Sequence, residues 1–125
     1  MLIAHREGHA DTLTLLEQLA LEGLAISIVT YMEVYQGTLR SPDPERAQAN
    51  FELFVSGVPV IPFSLGAARR CAELREDLAR RGKRVRSRAL DLLTAAIALE
   101  HDFTLVTRNR RDYEDIAELS LFEPT

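Results

Sequence analysis

The run Leu24-Ala-Ile-Ser-Ile-Val-Thr30 is short, rich in β-branched residues and almost wholly apolar. A strand with one wet face would carry a polar residue at every second position. This run does not, so as a strand it is buried on both faces, the habit of a parallel sheet covered by helices above and below. Phe103-Thr-Leu-Val-Thr107 has the same character. Between and around these runs the period changes. Asp11 to Leu21 spaces Leu13, Leu15, Leu16, Leu19 and Ala20 as a helical stripe, with Gly23 as a stop. The spacing predicts a helix from near Thr30 toward Gly37 with Glu33 in its first turn, then one from Glu45 to about Phe54 after the breaks at Pro42 and Pro44. Val58 to Phe63 reads as a short strand whose two prolines belong at an edge or an end. Ser64 is suited to cap a long helix to about Arg81, stopped by Gly82, and Ser87 to cap the helix that carries Asp91. A short helix from Asp112 to Ala117 and a last strand, Leu119 to Phe122, complete the reading. Strands alternating with helices give the α/β class with a mainly parallel sheet.

Length bounds the organisation. The chain has 125 residues, 46% of them apolar, which is one domain, 1–125, with enough apolar side chains for a core. Its longest nearly uncharged apolar run, Leu24 to Met32, is about half the roughly 20 residues a membrane helix needs, and no basic segment leads into an apolar core at the N-terminus. No membrane association and a cytoplasmic location are therefore expected. The single Cys71 cannot form an internal disulfide, and its helical setting points to packing.

The acids carry the chemistry. Glu33 lies just past one strand-like run, Asp91 opens the alanine-rich stretch to Glu100, and Asn109 and Asp112 follow the run Phe103 to Thr107. In an open parallel sheet, ligands sit beyond the carboxyl ends of the strands, so residues far apart in sequence can meet there. Hard oxygen donors so placed suit Mg²⁺, which keeps several waters and needs no His or Cys cage. Such a cation supports in-line hydrolysis of a phosphodiester, because it orients water and neutralises charge on the phosphorus centre. The three histidines, His5, His9 and His101, have no paired-ligand spacing, which weakens a zinc reading. Each acid also has a plain structural reading, since helix N-termini favour carboxylates in any case. Asp91 stands out because Leu92, Leu93, Ala95, Ala96, Ile97 and Leu99 make its helix almost entirely apolar, as in a core helix.

Charge is unevenly placed. The chain has a net charge of −4, yet residues 69 to 111 hold twelve Lys or Arg against six Asp or Glu, while the remainder holds three against thirteen. The densest stretch, Arg81 to Arg88, contains Arg81, Lys83, Arg84, Arg86 and Arg88 and no acid. A cationic surface beside an acidic pocket fits a polyanionic substrate, and these five residues are the candidates for contacts to its phosphates.

Taken together, Ile28-Val-Thr-Tyr-Met-Glu-Val-Tyr-Gln-Gly37, Arg88-Ala-Leu-Asp-Leu-Leu-Thr-Ala-Ala-Ile-Ala98, Thr104-Leu-Val-Thr-Arg-Asn-Arg-Arg-Asp-Tyr113 and Leu119-Ser-Leu-Phe122 resemble the PIN-domain family, and within it the VapC-type toxins. The resemblance implies a three-layer α/β/α sandwich and an endoribonuclease dependent on Mg²⁺ or Mn²⁺. It also implies a homodimer and inhibition by a cognate antitoxin. By that match Glu33 and Asp91 are two of the family's acids, and the fourth acidic place falls on Asn109 or Asp112. One departure matters. The family opens with a strand ending in an Asp-Thr-Asn-like segment just ahead of the Leu-Ile that is here Leu2-Ile3, and no Asp precedes Leu2. The expectation is a domain that looks truncated at its N-terminus, without that strand and its Asp, and three causes stand open: a start assigned too far downstream, which is favoured, a trimmed chain, or a molecule that has lost a ligand and a central strand. Two functions follow: a metal-dependent ribonuclease toxin, or a catalytically impaired protein of the same fold that engages an antitoxin or nucleic acid without cleavage.

Overall fold

The computed structural model describes residues 2–3 and 23–123. The helix expected over Asp11 to Leu21 lies outside them. Five strands, β1 (Leu2–Ile3), β2 (Ala25–Ser27), β3 (Val60–Ile61), β4 (Leu105–Val106) and β5 (Leu121–Phe122), form one sheet in the order β3-β2-β1-β4-β5 with every pairing parallel. Among the described residues four α-helices accompany them: α1 (Ile28–Leu39), α2 (Pro44–Val55), α3 (Leu65–Arg80) and α4 (Ala89–Glu100).

The expectation of an absent central strand is corrected. Leu2 and Ile3 occupy the centre of the sheet, in register with Ala25 and Ile26 on one side and Leu105 and Val106 on the other. The Leu2 amide donates to the Thr104 carbonyl at 2.9 Å. The edges of β2 and β4 are therefore paired, and the exposed apolar edge such a loss would create does not arise.

Handedness sets the layers. From β2 the chain passes through α1 and α2 to β3 on one side; from β3 it returns through α3 and α4 to β4 on the other. Right-handed crossovers running in opposite directions along a sheet place their helices on opposite faces. The buried side chains show this division. Leu2, Ala25 and Leu105 join Ala67, Cys71, Leu78, Leu92 and Ile97 in one core, whereas Leu24, Ile26 and Val106 join Val34 and Phe51 in another. Neighbouring strand residues thus feed opposite cores, as the pleat requires. Each fully buried Leu, Ile or Phe contributes roughly 2 kcal/mol. The result is the expected three-layer α/β/α sandwich.

Several boundaries differ from the sequence reading. The strand expected over Leu24 to Thr30 stops at Ser27, and α1 takes Ile28, Val29 and Thr30 despite their β-branching. The cause is a cap: the Ser27 hydroxyl accepts from the Thr30 amide at 3.0 Å, closing the first turn. Glu33 is consequently the sixth residue of α1, in its second turn rather than its first. Ser87 does not cap α4; a 3₁₀ turn over Arg86–Arg88 leads straight into it. The short helix expected from Asp112 is a 3₁₀ turn over Arg110–Asp112, and the last strand is confined to Leu121–Phe122. Ser64 and Gly82 behave as expected. The Ser64 hydroxyl accepts from the Ala67 amide at 3.1 Å, and Gly82 takes φ +70°. Small residues bring α3 and α4 together: a Cβ at Gly66 would meet the Glu100 Oε1 at 2.0 Å, so the glycine admits this carboxylate to the N-terminal turn of α3. Among the described residues no helix is long and apolar enough to cross a membrane.

Candidate active site

The order of the strands reverses at β1, with β2 to one side and β4 to the other, and in such sheets the ligand crevice opens beyond the carboxyl ends of the strands at that point. Polar side chains at the ends of β2 and β4 and on the adjoining helices α1 and α4 line this rim inside the protein: Ser27, Thr107, Thr30 and Thr94 are all buried. The Ser27 and Thr30 hydroxyls bond at 3.1 Å, and Ser27 lies 3.4 Å from the Thr94 hydroxyl, which joins the start of α1 to α4. Thr107 follows β4 directly, and its hydroxyl accepts from the Asn109 amide at 2.9 Å, turning the chain sharply away from the sheet.

Asp91 sits in the first turn of α4, three residues before Thr94 and hence on the same helix face. Its residue exposure is 4%, low for a carboxylate, and the Tyr113 hydroxyl donates to its Oδ1 at 3.1 Å. A buried charge is tolerated where hydrogen bonds replace water. Tyr113 is itself buried and reaches Asp91 from the segment after β4. Asp91 and the stretch containing Asn109 and Asp112 are thereby brought together. Glu33 is half-buried on α1, the helix whose cap bonds to α4. Asp112 is half-buried too and accepts from the Arg84 guanidinium at 3.3 Å.

The basic stretch divides. Lys83, Arg84 and Arg86 are exposed. Arg81 is on the surface as well, bonded to Asp77 and to the Asp115 carbonyl. Arg88 is not: it is 1% exposed, the largest fully buried side chain described, and so is corrected out of the set offered to phosphates. Its Nη1 and Nη2 donate to the two carboxylate oxygens of Asp115 at 2.7 Å each, Nη1 also reaches the Asp112 carbonyl at 2.9 Å, and Nε reaches the Arg84 carbonyl at 2.7 Å. These bonds hold the Asp115 carboxyl below the usual carboxylate range, the Arg88 hydrogen bonds being the main cause against a smaller opposing effect of burial. Cys71 is buried in α3 and donates to the Leu92 carbonyl at 3.7 Å, and burial raises its thiol pKa, so it is a packing residue.

Oxygen donors are hard ligands, and Asp91, Glu33, Asp112 and Asn109 match Mg²⁺ or Mn²⁺ in kind. Among the described residues no three acids, histidines or cysteines stand together as a cage, so a cation at Asp91 would take several of its ligands from water, as Mg²⁺ does. Sequence reasoning missed Tyr113 and Asp115 as parts of the site, and placed Arg88 on the phosphate-facing surface instead of in its buried position against Asp115. An aromatic hydroxyl and an inward arginine leave no periodic signal; the one available hint was that Tyr113 follows Asp112 where a phenyl ring would pack as well.

Residues 1–119 match the PIN domain family. The chain is 35% identical over 96 residues to a protein of Shigella flexneri named tRNA(fMet)-specific endonuclease VapC, covering 77% of this chain and 71% of that one. To Ribonuclease VapC2 of Rickettsia felis it is 32% identical over 98 residues, 78% and 72% of the two chains. The DNA-bound VapBC structure from Salmonella typhimurium superposes with a TM-score of 0.84 at 27% identity, covering 98% of this chain and 96% of that one. With a three-layer parallel fold, a buried aspartate at the rim and these relatives, the chain belongs to the PIN-domain family and, within it, to the VapC type.

Proposed function

We propose that this protein is a Mg²⁺- or Mn²⁺-dependent endoribonuclease, the toxin of a toxin–antitoxin module. The observation that carries the reading is Asp91: a carboxylate almost closed off from solvent, in the first turn of a core helix at the strand-order reversal, held by a phenol. Relatives named as nucleases support the RNA substrate, and likeness to a VapBC structure supports an antitoxin partner. In this reading Asp91 is the principal ligand, Glu33 a ligand or water-orienting base, and Asp112 and Asn109 supporting groups. Arg81, Lys83, Arg84 and Arg86 contact RNA phosphates. A cation bound there would neutralise charge on the phosphorus centre and orient the attacking water.

A second reading, a binding protein of the same fold that does not cut, draws on the lack of a three-ligand cluster among the described residues. One experiment separates them. The purified chain is incubated with total RNA, with Mg²⁺ and with chelator, beside Asp91→Ala. Cleavage that needs Mg²⁺ and falls about 100-fold or more in Asp91→Ala is expected, since a bound cation supplies several kcal/mol to such a transition state. RNA binding without Mg²⁺-dependent cleavage favours the second reading, and cleavage unaffected in Asp91→Ala removes that residue from the site.

A further inference from the structure

We infer that Tyr113, bracketed by the Arg88–Asp115 pair, is the positioning residue of the Asp91 carboxylate, fixing the direction in which that carboxylate presents its oxygens to a divalent cation. The inference rests on the proposed role of Asp91 as ligand and adds the residues through which the fold aims it.

Three observations converge. The first is depth: Asp91 is 4% exposed and Tyr113 2%, and their 3.1 Å hydrogen bond joins two buried groups that come from different elements. A phenyl ring alone would fill the core at position 113, so the hydroxyl is the part of this side chain that acts on the site. The second is the bracket. Arg88 donates to the Asp112 carbonyl on one side of Tyr113 and to both carboxylate oxygens of Asp115 on the other. It thus grips the backbone and a side chain that flank the tyrosine. The third is the span of that grip. Arg88 stands three residues ahead of Asp91, where the 3₁₀ turn meets α4, and its Nε also holds the Arg84 carbonyl. A planar guanidinium with its donors in a fixed fork sets distance and angle together. The entry to α4 and the segment after β4 are locked to each other, and the phenol of one is delivered to the carboxylate of the other.

Partners that orient a metal ligand from behind typically change metal affinity or activity 10–100-fold when removed. Tyr113→Phe keeps the ring and deletes only the hydroxyl, so it is the variant of choice. Binding of Mn²⁺ is measured directly by calorimetry on the full chain, for wild type, Tyr113→Phe, Asp115→Asn and Asp91→Asn, with RNA cleavage and thermal melting beside it. The expected result is a Mn²⁺ dissociation constant raised roughly tenfold or more in Tyr113→Phe, a change in the same direction in Asp115→Asn, and a lowered kcat with little change in the KM for RNA. A purely structural tyrosine would lower the melting temperature and leave Mn²⁺ affinity where it was, which overturns the inference. If Asp91→Asn loses Mn²⁺ while Tyr113→Phe keeps it, the positioning role alone falls. If Asp91→Asn binds Mn²⁺ as wild type does, the ligand assignment falls and the positioning role with it.

Discussion

Arg88 shows how one residue can be misjudged from its neighbours in sequence. It closes a run of cations that reads as a surface for phosphates, yet it is the member of that run buried at 1% exposure, with Asp115 as a bidentate partner. Removing one side of a buried ion pair leaves the other poorly solvated and costs roughly 3–5 kcal/mol. Arg88→Ala is therefore expected to lose about 3 kcal/mol, the lower end, because the Asp115 side chain keeps 22% of its exposure to water; urea unfolding at neutral pH measures it. The pair also has a pH signature. Asp115 has a lowered pKa in the folded protein, chiefly from the Arg88 hydrogen bonds. Its stabilising contribution is complete above the pKa of the unfolded chain, near about 4, and is lost as pH falls below that value through the lowered folded one. Wild type should accordingly be more stable than Asp115→Asn at pH 7, with the gap closing on acidification toward pH 3. A gap that is constant with pH would mean the carboxylate charge is not what Arg88 holds.

At the scale of elements, what could be read in advance was what is settled locally. The end of α3 is an example: Gly82 takes φ +70°, its amide bonds the Ala79 carbonyl at 3.1 Å, and the Lys83 amide bonds the Leu78 carbonyl at 2.9 Å, the two bonds of a Schellman motif. Any residue with a Cβ is strained there by about 1–2 kcal/mol. Gly82→Ala should lower unfolding free energy by about that amount with an unchanged denaturant slope, and an unaltered midpoint would show that the turn relaxes freely. The Ser64 cap and the apolar nature of α4 with Asp91 in its first turn were legible for the same reason, since residue types alone dictate them. The start of α1 was not. Ile28, Val29 and Thr30 favour a strand by their branching, and only the Ser27 cap, set where β2 runs out of partners, turns them into helix. The candidate site divides along the same line. Glu33, Asp91, Asn109 and Asp112 could be proposed from their position after apolar runs, but the Tyr113 bond to Asp91 joins residues 22 apart and depends on how β4 and α4 pack. Tyr31 and Tyr35 stack on each other at 6.1 Å, and Tyr31 lies 5.1 Å from buried Phe51, so both pack, partly buried, against the core between α1 and α2.

For the whole molecule, the placement of charge decides how a net −4 protein could meet a polyanion. The cations of residues 81–86 stand on the surface beside the segment that holds Asp112 and Tyr113, while Arg88 is withdrawn and spent on the fold. Arg84 is shared: it bonds the Ser87 hydroxyl at 3.1 Å and Asp112 at 3.3 Å, so an RNA phosphate would compete with a carboxylate for it. The counterion argument then makes a quantitative distinction between the exposed and buried cations. Each phosphate contact to a single strand adds about 0.7 to the slope of log K against log salt. The combined replacement of Lys83, Arg84 and Arg86 by Ala should weaken RNA binding and flatten that slope by about 2, whereas Arg88→Lys, which keeps a buried charge near Asp115, should leave the slope unchanged. Titrations of a labelled single-stranded RNA across a range of salt, with chelator present to prevent cleavage, measure both. A slope indifferent to the triple replacement would make residues 81–86 an ordinary solvated surface and require the RNA to approach the Asp91 rim from another side, whereas a slope altered by Arg88→Lys would mean that the buried pair opens when RNA binds.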